Sequence, residues 1–109
     1  MCVPQPTWTD SISFLTSLID VPAASASARL LAQVRPRWED RVVSRTSMHD
    51  LLFTLPVEEY PFDREVRAAW HGGIFTISLV EHESLVSTLD TEEATATAAL
   101  DSFLSQLVR

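Results

Sequence analysis

Only two glycines occur in the 109-residue chain, and they are adjacent, at Gly72 and Gly73, between two runs that alternate apolar and polar residues. A Gly-Gly pair tolerates the positive φ values of a two-residue hairpin turn, and alternation with period two marks a half-buried strand. The spacing therefore predicts an antiparallel hairpin over residues 65–71 and 74–81. With His71 opposite Ile74, Trp70 faces Phe75, Ala68 faces Ile77 and Val66 faces Leu79, while Ala69 with Thr76 and Arg67 with Ser78 fall on the other side. One face of the hairpin is dry and the other is wet.

The same scarcity of glycine excludes whole classes of chemistry. A phosphate-binding loop, a dinucleotide fingerprint and a nucleophile elbow each need separated glycines, and none can be written here. All eight basic residues are Arg, so there is no lysine for a Schiff base. Cys2 stands alone, which rules out an intramolecular disulfide or a thiolate cluster. No apolar run exceeds three residues and Met1-Cys2-Val3-Pro4 does not open a signal peptide, so the expectation is a cytoplasmic protein with no membrane segment.

Flanking segments complete an α+β outline. Ile12, Leu15, Leu18 and Ile19 recur at helical spacing, with Thr9 or Asp10 as the expected N-cap and an end near Asp20. Val21 precedes proline and is pushed out of the helical region, so a second, Ala-rich helix starts at Pro22 or Ala23. It buries Ala23, Ala26, Leu30, Leu31 and Val34, and Pro36 is expected to close it. Short strands follow at about 41–46 and 51–55, the second ending before Pro56. Another returns at about 85–89 in a register left open: a two-residue turn puts Val86 on the core face, and a three-residue turn puts Leu85 and Leu89 there. Asp90 and Glu93 read as a capping box ahead of a helix whose Ala96, Ala99, Leu100, Phe103, Leu104 and Leu107 lie across the dry face of the hairpin. The outline is thus one domain over 1–109, with two short N-terminal helices, an antiparallel sheet of four or five strands and a C-terminal helix.

Candidate functional residues fall in two places. The loop 56–63 holds Tyr60 and Phe62 between prolines, among Glu58, Glu59 and Asp63, which suits an aromatic anchor with an acidic rim. On the wet face Arg67, His71, Thr76 and Ser78 could line a ligand cleft. His71 and His82 stand at opposite ends of one eight-residue strand, roughly 25 Å apart, and cannot share a metal ion. His49-Asp50 lacks convergent ligands, and Glu58-Glu59, Glu81/Glu83 and Glu92-Glu93 read as solvated carboxylates rather than acid/base pairs. No cofactor or metal is expected.

Charge separates along the chain. Residues 1–45 carry five Arg against four acids, and residues 46–109 carry three Arg against eleven, giving +1 and −8 within the total of −7. Such a field repels nucleic acid, even around the Arg35–Arg41 stretch with Trp38, and attracts basic proteins. The expectation is a non-enzymatic, acidic protein-binding module of the immunity-protein, antitoxin or chaperone-like inhibitor kind, with homodimerisation open. The alternative is a small homodimeric ligand-binding domain or enzyme with its cleft on the polar face.

Overall fold

The computed structural model describes residues 8–18, 20–56 and 63–109, and the fold is α+β. Helices α1 (Trp8–Ser17) and α2 (Pro22–Trp38) come first. Strands β1 (Val43–Ser47), β2 (Asp50–Thr54), β3 (Arg64–His71), β4 (Ile74–Glu81) and β5 (Ser84–Glu92) then form one antiparallel meander in sequence order, and α3 (Glu93–Leu107) ends the chain's regular structure. Among the described residues no helix is long and apolar enough to cross a membrane.

Local chemistry accounts for most boundaries. Val21 is extended at φ −111° and ψ 99°, as the residue before a proline should be, and Pro22 opens α2 without wasting an N–H. Pro36 does not close α2. The helix carries on through Arg37 to Trp38, with Glu39 N–H donating to the Arg35 carbonyl at 2.9 Å. What holds this last stretch is Trp38, which is 2% exposed and donates its indole N–H to Asp101 Oδ1 on α3 at 2.7 Å. Tertiary packing here outweighs the proline's local penalty. Thr9 and Asp10 lie inside α1 rather than capping it, and the Thr9 hydroxyl instead accepts from Arg35 Nη2 at 2.8 Å.

The β3–β4 hairpin has the register that its alternation predicts, from Arg64 opposite Glu81 through Arg67 opposite Ser78 to His71 opposite Ile74. Gly72 and Gly73 take φ values of 57° and 95°, the left-handed region such a turn needs. On the dry face Leu51, Phe53, Val66, Ala68, Phe75 and Ile77 are fully buried under all three helices. Trp8 of α1 sets its ring 5.6 Å from that of Phe53. Helix α3 lies over β4 and touches β3 and β5 on either side, and it buries Ala96, Leu100, Phe103, Leu104 and Leu107. Removing any one of its leucines to Ala would cost about 2–5 kcal/mol, since each lies in a filled interior.

Strand β5 departs from both expected registers. A two-residue turn at His82-Glu83 pairs Glu81 with Ser84 and Val80 with Leu85, and then a bulge shifts the ladder so that Leu79 pairs with Ser87 and Ile77 with Leu89. Leu85 therefore stands on the polar face and Leu89 on the helix side, with the bulge at Val86 between them. The strand also runs to Glu92, which removes the Asp90 capping box. Asp90 sits inside β5, where its carboxylate accepts from Thr76 Oγ1 at 2.7 Å, and the residue before α3 is Glu92 with no side-chain cap.

The two sheet edges are treated differently. At the start of β1 the carbonyls of Val42, just before the strand, and of Ser44 accept hydrogen bonds from Trp8 Nε1 at 3.0 Å and Ser11 Oγ at 3.2 Å, so α1 covers the first part of that edge. Among the described residues no side chain does the same for β5 between Ser84 and Thr91.

Candidate functional site

In a five-stranded meander the β2–β3 loop and the β4–β5 turn share one end of the sheet, and here they are joined. His82 N–H donates to the Asp63 carbonyl at 2.7 Å, and His82 Nδ1 lies 3.6 Å from Asp63 Oδ1. His82 and Glu83 both hold left-handed φ values, 50° and 66°, although neither is glycine. The bond from Asp63 helps keep this tight turn in place, because an αL residue with a side chain costs roughly 1–2 kcal/mol.

Four carboxylates gather at this end. Glu81 is paired with Arg64 at 3.0 Å and Glu65 with Arg67 at 3.2 Å, which leaves Asp63 and Glu83 as its most solvent-facing acids. Immediately beyond the turn, Leu85 and Val86 are 62% and 53% exposed. An apolar pair thus stands beside an acidic rim. Of the predicted anchor loop, Asp63 is at this end, while Glu58, Glu59, Tyr60 and Phe62 lie outside the described residues.

The predicted polar-face residues share a face but do not converge. Arg67 is opposite Ser78, Thr76 is one step further along β4, and His71 is at the glycine turn, about 13 Å along the strand from Arg67. The polar atoms of Arg67, Thr76 and Ser78 are taken up locally: Thr76 donates to Asp90, Ser78 shares a hydrogen bond of 3.2 Å with Thr88, and Arg67 bridges Glu65. At the β1–β2 turn His49 Nδ1 lies 3.4 Å from Asp50 Oδ1 without a hydrogen bond, and Ser27 Oγ donates only to the His49 carbonyl. Among the described residues no group of three His, Cys, Asp or Glu side chains is placed to hold a metal ion.

Leu85, Val86 and Glu83 are contact candidates that the sequence reading did not combine with Asp63. The signal was available in the connectivity, since consecutive antiparallel strands put residue 63 and residues 82–83 at the same end. Comparison with protein-family models, with curated proteins and with solved structures gives no match.

Proposed function

We propose that the chain is a small protein-binding module that presents the acidic end of its sheet to a basic partner protein. The observation that carries this reading is the joining of Asp63 to the His82-Glu83 turn beside exposed Leu85 and Val86. An apolar centre that excludes water, rimmed by charges that steer the encounter, is the usual anatomy of a tight and specific contact. Glu58 and Glu59 add two more carboxylates within five residues of Asp63 in sequence. An inhibitor of a basic protein acting in the cytoplasm, of the immunity-protein, antitoxin or chaperone kind, is the concrete form this takes.

The cleft reading has less support, because Arg67, Thr76 and Ser78 are engaged with neighbours rather than aimed at a shared point. The test is the association kinetics of the captured partner. Replacing Glu58, Glu59 and Glu83 together by Gln should slow binding and flatten its salt dependence, and Leu85→Ser should speed dissociation. Unchanged kinetics in both variants would remove this end of the sheet from the account.

A further inference from the structure

Beyond the bulge at Val86, β5 offers a regular outer edge from Ser87 to Thr91, uncovered by any described side chain, while the β1 edge is occupied at its start by Trp8 and Ser11. An open edge is a template for another strand. We propose that it pairs with the same edge of a second copy of this chain, antiparallel about a twofold axis through Leu89.

The register follows from the strand itself. A twofold axis normal to the sheet opposes only residues on the same face, so the centre must fall on a residue, and the bulge at one end and the start of α3 at the other leave Leu89 in the middle. A centre at Leu89 sets Leu89 against its own copy, Thr88 against Asp90 of the second copy, and Ser87 against Thr91. The first pairing covers a side chain that is 46% exposed although it lies on the helix side of the sheet. Leu89 is open because α3 sits over β4 and leaves the outer flank of β5 bare. Across the seam the two α3 helices would stand about 14 Å apart, three strand spacings, with the two leucines between them.

The second pairing extends hydrogen bonds already present. Asp90 Oδ1 is taken by Thr76, which leaves Oδ2 for an incoming Thr88 hydroxyl, and Ser78 can donate to Thr88 so that the Thr88 proton is free. The chain Ser78 to Thr88 to Asp90 then crosses the interface twice, once in each direction. Centring on Asp90 would oppose two carboxylates, whereas the Leu89 centre holds them on a diagonal roughly 7–8 Å apart. This inference is independent of the partner-binding reading, which uses Leu85 and the bulge residue Val86 rather than Ser87 to Thr91.

The test is sedimentation equilibrium of the full chain across a dilution series, together with cysteine crosslinking in a Cys2→Ser background. The expected result is reversible dimerisation to twice the 12.2 kDa chain mass. Leu89→Lys should weaken it by about tenfold or more, because a charge is forced into the seam. Leu89→Cys should form a disulfide-linked dimer on mild oxidation, since opposed Cα atoms are about 4.5–5.5 Å apart. Thr91→Cys, separated from its own copy by about 13 Å along the strand, should not. A wild-type chain that stays monomeric at every concentration overturns the proposal and leaves the edge to another protein's strand. Equal crosslinking through positions 89 and 91, or a Leu89→Lys chain that dimerises as well as wild type, overturns it too; circular dichroism of each variant separates these outcomes from misfolding.

Discussion

Arg64 ties the start of β3 to the end of α3, with its Nη2 donating to the Gln106 carbonyl at 2.7 Å. The same guanidinium donates through Nη1 to the carbonyls of Leu107 at 3.1 Å and Arg109 at 3.2 Å, and through Nε to Glu81 at 3.0 Å. A helix ends with carbonyls that have no intrahelical partner and with partial negative charge, so a cation there satisfies both. Arg64→Ala should destabilise the fold by about 2 kcal/mol in urea titration and speed amide exchange in the last turn of α3. Lys at this position should recover only part of the loss, because it lacks the planar fork that serves several acceptors at once. A variant as stable as wild type would show that α3 needs no such cap.

Asp101 joins α3 to α2 through both of its oxygens. Oδ1 accepts from the Trp38 indole at 2.7 Å and Oδ2 from Arg37 Nη1 at 2.6 Å. Asp101→Ala leaves a buried indole N–H without an acceptor, at about 1–3 kcal/mol. Asp101→Asn keeps an acceptor for Trp38 and loses only the exposed pair with Arg37, worth less than about 1 kcal/mol. Denaturant midpoints of the two variants check the order, and equal losses would assign the whole effect to charge.

How far the fold could be read beforehand depended on the range of the forces involved. The glycine turn and the alternation on either side identified six of the eight opposed pairs of β3 and β4, because both signals are local. Pro36 and Asp90 were misleading for one reason: each carries a strong local preference that a distant group overrides. Trp38 is held by Asp101 and so keeps the helix going past Pro36, and Thr76 draws Asp90 into the sheet before it can cap α3. The bulge at Val86 had no local marker. The acidic end needed only connectivity to bring Asp63 to Glu83, but the exposure of Leu85 and Val86 depends on the bulge and on where α3 lies.

Acid should weaken one contact between α2 and α3. Arg29 donates to Glu93 through Nε at 2.6 Å and Nη2 at 3.2 Å, and this hydrogen bonding holds the Glu93 carboxyl below its usual range, with charge attraction adding and desolvation opposing. A carboxylate whose pKa is depressed in the folded state stabilises the fold above its unfolded pKa, and that contribution is lost as pH falls through the folded value. The pair is well exposed, so the effect is small and screened by salt. Glu93→Gln should therefore be less stable than wild type at neutral pH, and the difference should shrink as pH falls below the ordinary carboxylate range and again at high salt. A gap between the two chains that is constant with pH would contradict the pairing.

The most direct test of the central claim is side-by-side affinity capture from the native host's lysate with the wild-type chain and a Glu83→Gln/Leu85→Ser variant, each washed at low and at high salt. The account predicts a basic protein that the wild type holds at low salt and releases at high salt, and that the variant holds poorly at either. Retention of the same proteins by both baits, indifferent to salt, would contradict it.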